Sequence, residues 1–347
     1  MAIFCPPYQT VLLILLLAAC QRPVQTEQAT AGPVSSESEL AAPKPTRTSV
    51  DTIYMENAPS RITRKIRKDS KGHLLFAAYT EVIFYDGSSF SSLPPLVGFE
   101  SLDAFDALED SKGHIWIGST HHGVFRYDGR DYTHFSTENG LLNNRTIDLY
   151  EDRKGQVWIA TMGGLSCFDG QAFRHLTTNQ GLSDNDVNTI MEDKTGTIWI
   201  GTRGAVCKYD GQDISKISPQ NGQYLSNIRH IMEDQHGNIW LGGQSGLWRY
   251  NGQSFTQLSK EMIAYVYEDA NGHIWTTGTS ASTKPWGLAR YAAVPTADLM
   301  TKVEDIKTAD SMLFGISEDQ KGNIWVGTLN GVFSYNGTSR TYYLNKH

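Results

Sequence analysis

Seven times along this chain a short phrase recurs: an acidic residue or pair, a glycine three positions on, then an apolar-Trp-apolar triplet. It is clearest at Glu109-Asp110 with Gly113 and Trp116, and returns at Asp152/Trp158, Asp193/Trp199, Asp234/Trp240, Asp269/Trp275 and Asp319/Trp325. A weaker first copy is Asp69 with Gly72, where Leu75 stands in the Trp position. The landmark aspartates are 41, 42, 41, 41, 35 and 50 residues apart. A fixed period near forty residues selects a repeat architecture before any single residue is interpreted.

Each period holds four short apolar stretches. In the third they are Thr146–Tyr150, Gln156–Ile159, Gly164–Phe168 and Ala172–Leu176, each bounded by Gly, Asp or Asn and none with helical periodicity. Four strands per unit at this period predict an all-β chain, a seven-bladed β-propeller of four-stranded antiparallel blades. The repeated residues then have structural work. Asp-x-x-Gly is expected to make a tight turn, with Gly at positive φ and Asp capping turn amides. The Trp triplet puts side chains on both faces of a strand packed between two blades. A second phrase, Tyr127-Asp128-Gly129 and its counterparts, marks another hairpin.

The region before the repeats differs. Val11 to Leu17 is an apolar run too short to span a bilayer and right for a signal-peptide core. It ends in Leu17-Ala18-Ala19-Cys20, which resembles the lipobox of bacterial lipoproteins, although Met1 to Thr10 carries no Lys or Arg. The resemblance implies cleavage before Cys20, lipidation of its thiol and, with Gln21 next, sorting to the outer membrane facing the periplasm. Residues 1–19 are therefore expected to be a signal peptide. Residues 20–49, rich in Pro, Ser, Thr and Ala with no aromatic, read as a lipidated cysteine and disordered tether. The propeller is expected over 50–347. Cys167 and Cys207 are expected as small buried side chains on opposite sheet faces rather than a disulfide.

These phrases closely resemble the two-component regulator propeller repeat, in which Gly-Leu and Asn also precede the next blade, as Gly140-Leu141…Asn144 and Gly181-Leu182…Asn185 do here. Members of that family are commonly the periplasmic sensor halves of membrane histidine kinases, notably ones implicated in sensing glycans. With its last blade ending at His347, this chain is expected to carry only the recognition part of that role.

The formal net charge of -7 and the lack of a basic stripe exclude a nucleic-acid partner. Expected partners are the membrane, through lipid, a glycan or other small ligand, and an envelope protein. The Asp-x-x-Gly and Tyr-Asp-Gly turns should share one propeller face, and the variable connections, where binding residues are usually mounted, the other. On that second face the candidates are His121, His122, Arg145, Arg203, Gln244, Lys284, Trp286 and Asn330. The segment Thr277 to Gly287 is longer than its counterparts, and Trp286 on it lies outside the repeat position, suited to stacking on a sugar or to a protein contact. Four residues before each landmark Asp, channel-facing positions include Lys65, Asp106, Asp148, Thr189, His230 and Tyr265. Asp106 and Asp148 are expected to line a solvated channel. No metal, cofactor, nucleophile elbow or phosphate loop is expected. Three functions remain open: a non-catalytic ligand-binding lipoprotein, a propeller enzyme such as a lyase or glycoside hydrolase, and a protein-binding scaffold.

Overall fold

The computed structural model describes residues 49–219, 225–279, 286–292, 302–307 and 312–346. The segment expected to be a signal peptide, Cys20, the expected tether through Thr48 and Lys284 lie outside them. Seven sheets follow one another around a closed ring, each built from four consecutive antiparallel strands in simple order. Blade 3 is representative: inner strand Thr146–Glu151, then Val157–Thr161, Gly164–Phe168 and outer strand Phe173–Leu176. The expected seven-bladed all-β propeller is what forms. No helix among the described residues is long and apolar enough to cross a membrane.

The recurrent phrase does three separate jobs. The turn Gly sits at positive φ, as at Gly113 (82°), a conformation that a side chain would strain. The Asp carboxylate accepts from the turn and from the next strand at once. Asp110 Oδ1 takes the amides of Lys112 (3.0 Å) and His114 (2.8 Å), and Oδ2 takes Trp116 Nε1 at 2.8 Å. The same indole bond is made by Trp158, Trp199, Trp240, Trp275 and Trp325 to their own aspartates. In blade 1, where Leu75 replaces Trp, Asp69 Oδ2 keeps only the His73 Nδ1 contact at 3.0 Å, which His114 and His273 also make to their own aspartates in blades that have the Trp. Asp and Trp recur together because each satisfies the other's buried polar atom.

The Glu beside each Asp reaches backwards to the neighbouring blade. Glu151 Oε2 accepts the Ser111 amide at 2.7 Å, Glu192 that of Arg153, Glu233 that of Lys194, Glu268 that of Gln235 and Glu318 that of Ala270. Glu109 does the same for Ser70. Between blades 7 and 1 the position is Lys68, and the Glu clasp is replaced by Gln320 Nε2 donating to Lys71 O (3.1 Å) and Lys321 Nζ to Gly87 O (3.0 Å).

The core is divided into apolar layers, one at each blade junction. At the closing junction Trp325 lies 4.8 Å from Tyr85 and 4.5 Å from Tyr343, ring centre to ring centre. Outside it, Ser49–Met55 runs parallel to the last strand, Ser339–Asn345, as a fifth strand of blade 7. Chain start and chain end are thus strapped together while every blade keeps four strands of its own. Cys167 and Cys207 are free buried thiols in the same layer between blades 3 and 4. Opposite faces of adjacent blades share one gap, so the expected opposite orientation brings them into one layer.

Candidate functional site

Every inner strand carries a β-bulge at the same place. Pairing with the second strand skips one residue between Thr63 and Lys65, Ala104 and Asp106, Thr146 and Asp148, Val187 and Thr189, Ile228 and His230, and Ile263 and Tyr265. In blade 7 the skip spans Phe314 and Gly315. A bulged residue is left out of the ladder and re-aimed. The seven skipped positions, Arg64, Phe105, Ile147, Asn188, Arg229, Ala264 and Phe314, all line one cavity of about 180 Å³ at the channel mouth. Every blade contributes one wall residue, and Met262, Trp286, Met312 and Gln244 extend the rim. These positions lie five residues before each landmark Asp, one step from those expected from sequence.

The expected channel positions form the layer beneath. Lys65 and Tyr265 reach the cavity, whereas Asp106 and Asp148 are buried below it. This corrects the expectation of solvated carboxylates. Blade 1 supplies two cations to them: Arg67 Nε and Nη2 donate to Asp106 at 3.0 and 2.6 Å, Nη2 also reaches Asp148 at 3.0 Å, and Lys65 Nζ is paired with both. Their remaining lone pairs take backbone amides of Ala107, Leu149 and Ile190. Two buried carboxylates beside two cations form a neutral, hydrogen-bonded plug, the arrangement in which such burial is tolerated. Burial pushes the Asp106 pKa up, but Arg67 and Lys65 outweigh it and hold the carboxyl well below the usual range. Burial, with Asp106 alongside, pushes the Asp148 carboxyl up.

His230 stacks on Tyr265 with ring centres 3.7 Å apart, and its Nδ1 is buried with no hydrogen-bond partner. Burial first, then the charges of Lys65 and Arg67, push its pKa well below the ordinary value, so the imidazole is neutral. Burial also raises the Tyr265 hydroxyl beyond its ordinary range. Neither group is set up to exchange a proton with a ligand near neutral pH.

Two arginines of the ring stand apart from this plug. Arg64 lies 4.9 Å from the centre of the Phe105 ring, and its Nη1 is buried without an acceptor. Burial lowers its pKa and Arg145 adds to the effect, while Tyr79 and Asp103 oppose it. Arg229 is exposed at the mouth, and burial together with Arg203 lowers its pKa.

The remaining candidates from sequence divide. His121 and His122 converge on one carboxylate, Asp103, at 3.0 and 3.6 Å, on a residue whose φ is 47°. No group of three or more His, Cys, Asp or Glu among the described residues is arranged to hold a metal. The Arg145 amide is bonded to Asn143 Oδ1 in a turn, and its side chain is exposed. Arg203 pairs at the surface with Asp186 at 3.4 Å. Asn330 sits in the turn after Thr328, beside a shallow depression lined by Arg61 and Tyr79. Gln244 is on the cavity rim.

Trp286 is not on the long loop. It is the first residue of strand Trp286–Tyr291, paired in register with Thr279, half-buried against the layer between blades 6 and 7, and still lines the cavity. The strand continues one residue further than in other blades, so the insertion starts beyond it. Asn144 and Asn185 prove structural: each side chain accepts the amide that opens a short turn, Thr137 and Thr178 respectively, at 2.8 Å.

Two of the repeats, residues 140–163 and 181–204, match the model of the two component regulator propeller family. Among solved structures the chain is similar to the extracellular domain of the hybrid two-component system BT3049 from B. thetaiotaomicron, at 21% identity and TM-score 0.68, over 84% of this chain and 41% of that one. The extracellular domain of BT4673 from the same organism matches at 20% identity and TM-score 0.66, over 84% of this chain and 40% of that one. The chain thus spans about two fifths of the length of these relatives. Virginiamycin B lyase from Staphylococcus aureus shares the fold at 12% identity and TM-score 0.64, over 81% of this chain and 97% of its own. No curated protein matches in sequence.

Proposed function

We propose that this two-component regulator propeller is a non-catalytic ligand-binding protein of the bacterial envelope, tethered through lipid on Cys20, with its ligand seated in the channel mouth. The observation that carries the reading is the bulge ring: seven residues, one from each blade, left out of the ladders and converging on a single cavity. Ordinary blade packing tends to repeat one residue type at a repeat position, whereas these seven carry five types, Arg, Phe, Ile, Asn and Ala, as a recognition surface would. The plug occupies Asp106 and Asp148 with Lys65 and Arg67, so the pair is not free for the acid-base role that a lyase or glycosidase would need. The resemblance to extracellular domains of two-component systems supports an envelope location and a recognition role. Glycan fragments, the class that the family suggests, belong in the first screen, as does an envelope protein that reads the occupied mouth.

The test is a thermal-shift screen of the full chain and of Ala264→Trp, which fills the mouth, against neutral and acidic oligosaccharides and small organic acids, amines and amides. A ligand that raises Tm in the parent protein and not in the filled variant supports the reading. If no compound acts, or every active compound acts equally on both, the mouth is not the binding site. The anchor is tested separately: Cys20→Ala should move the protein from the membrane pellet to the soluble fraction, and continued pelleting would remove the lipoprotein part.

A further inference from the structure

The lining of the mouth narrows the ligand further, on the premise that the mouth binds one. Among its described residues there is no carboxylate, and three cations are present: Arg64, Lys65 and Arg229. The charge of Lys65 is taken up from below by Asp106 and Asp148. Arg64 and Arg229 make no ion pair or side-chain hydrogen bond with the described residues, and Arg64 Nη1 is out of contact with water with no described acceptor. Asp103, the carboxylate acting on Arg64, is already engaged by His121 at 3.0 Å. Arg145 and Arg203 raise the positive potential around the two guanidiniums. A guanidinium N–H held away from water without an acceptor is costly, and an entering anion would relieve that cost.

Most of the rest of the wall has the opposite character. Phe105 and Ile147 come from blades 2 and 3, and Met262, Trp286, Met312 and Phe314 from blades 6 and 7, with Asn188, Gln244 and Tyr265 as its polar members. Two largely apolar arcs, one of them interrupted by Asn188, therefore lie between Arg64 on blade 1 and Arg229 on blade 5. The cavity of about 180 Å³ is close to the roughly 150 Å³ that accepts one benzene ring in an apolar protein cavity. It has room for one ring and a short substituent, and a sugar ring in it would leave most of its hydroxyls facing methyl and phenyl groups.

We infer that the mouth takes a small organic anion with a single apolar ring, its carboxylate or sulfonate held by Arg64 and Arg229 and its ring against Phe105, Phe314 and the two methionines. The anionic group supplies acceptors to guanidinium donors that have none. The methionines, long and unbranched, adapt to the shape of the ring. The same carboxylate chemistry is carried by uronic acids, and the apolar arcs are what set the two sources apart.

Isothermal titration of the full chain with phenylacetate, phenylacetamide and glucuronate, in the parent protein and in Arg64→Gln, Arg229→Gln and Arg130→Gln, tests this. Phenylacetate should bind the parent, at least tenfold tighter than its neutral amide and than glucuronate. Arg64→Gln and Arg229→Gln should each lose at least tenfold, and Arg130→Gln, an exposed side chain outside the cavity lining, should stay within about twofold. Arg229 is exposed, so its variant carries the test even if Arg64→Gln fails to fold. Amide binding as tight as the acid would overturn the anion assignment. Glucuronate binding as tight as phenylacetate would overturn the apolar ring. If all three probes fail to bind while the broader screen still finds a ligand excluded by Ala264→Trp, the ligand class assigned here is wrong and the mouth remains the binding site.

Discussion

Glu151 of blade 3 accepts a hydrogen bond from the Ser111 amide of blade 2 at 2.7 Å, and the Ser111 hydroxyl adds a second at 2.6 Å. The bond crosses a blade junction, so the acidic pair that marks every repeat is divided between two blades: Asp holds its own turn and Glu holds the one before. Removing the clasp with Glu151→Ala should cost about 1 kcal/mol, the size of one charge-assisted bond at a partly exposed site. Urea unfolding of the full chain measures it, and a midpoint unchanged from the parent would show the clasp to be incidental.

The junction between blades 7 and 1 offers the converse experiment. Lys68 occupies the position of the clasping Glu, and the partner turn begins at Gln320. Lys68→Glu should add the missing bond to the Gln320 amide and raise the unfolding midpoint by the equivalent of about 0.5–1 kcal/mol. A lower midpoint would mean that the bonds from Gln320 and Lys321 already close the ring as well as a Glu can.

Within a blade, the Asp–Trp bond is buried, with Trp158 Nε1 donating to Asp152 Oδ2 at 2.8 Å. Trp158→Phe keeps most of the ring and removes the donor, and should destabilise by about 1–2 kcal/mol. Asp152→Ala leaves the indole and the amides of Lys154 and Gln156 without their acceptor, and should cost more, about 3 kcal/mol. The order of the two variants in equilibrium denaturation is the test. If Trp158→Phe were the more damaging, packing and not the bond would explain the recurrence of Trp.

The plug predicts a response to acid. Asp106 has its pKa held down in the folded state by Arg67 and Lys65 against burial, so its stabilisation is present above the ordinary carboxylate pKa and is lost as pH falls through the depressed folded value. Asp106→Asn leaves Arg67 and Lys65 sharing one carboxylate and should cost about 3–5 kcal/mol at pH 7. The difference from the parent should shrink in strong acid, where the parent loses the same charge. Urea midpoints at neutral and strongly acidic pH check both the size and the slope.

His230 has the same sign and a different window. Its folded pKa lies well below the ordinary one, because burial and then Lys65 and Arg67 disfavour the imidazolium. The unfolded chain therefore takes up the proton first, and stability falls as pH drops below about 6.5, by up to about 1.4 kcal/mol per unit. His230→Phe keeps a ring against Tyr265 and should flatten the curve between pH 7 and 5 relative to the parent. Parallel curves for the two proteins would show that His230 is not the titrating group.

How far the sequence reaches can be judged from single positions. The fold was legible because Asp110, Gly113 and Trp116 and their counterparts answer to a strictly local geometry, a tight turn and the strand that follows, which every blade must reproduce. The indole bond was not read from the phrase, although the constant six-residue spacing from Asp to Trp in six of the repeats was its signal. The bulged ring of the cavity was missed by one residue, although Lys65, Tyr265, Gln244 and Trp286 among the expected positions do line it. Alternation along a regular strand points to Lys65, Asp106 and Asp148, and a bulge, which leaves no mark in residue type, hands the mouth to Arg64, Phe105 and Ile147.

The sequence by itself determined the number of blades and the turn chemistry, because both rest on contacts between residues near in the chain. The tertiary structure alone decided which side chains meet across the ring. Arg67 reaches Asp148 from two blades away, and Arg64 and Arg229, separated by most of the repeats, face one cavity. Closing a sheet of repeats into a circle makes neighbours of residues whose separation along the chain carries no information about their distance in space.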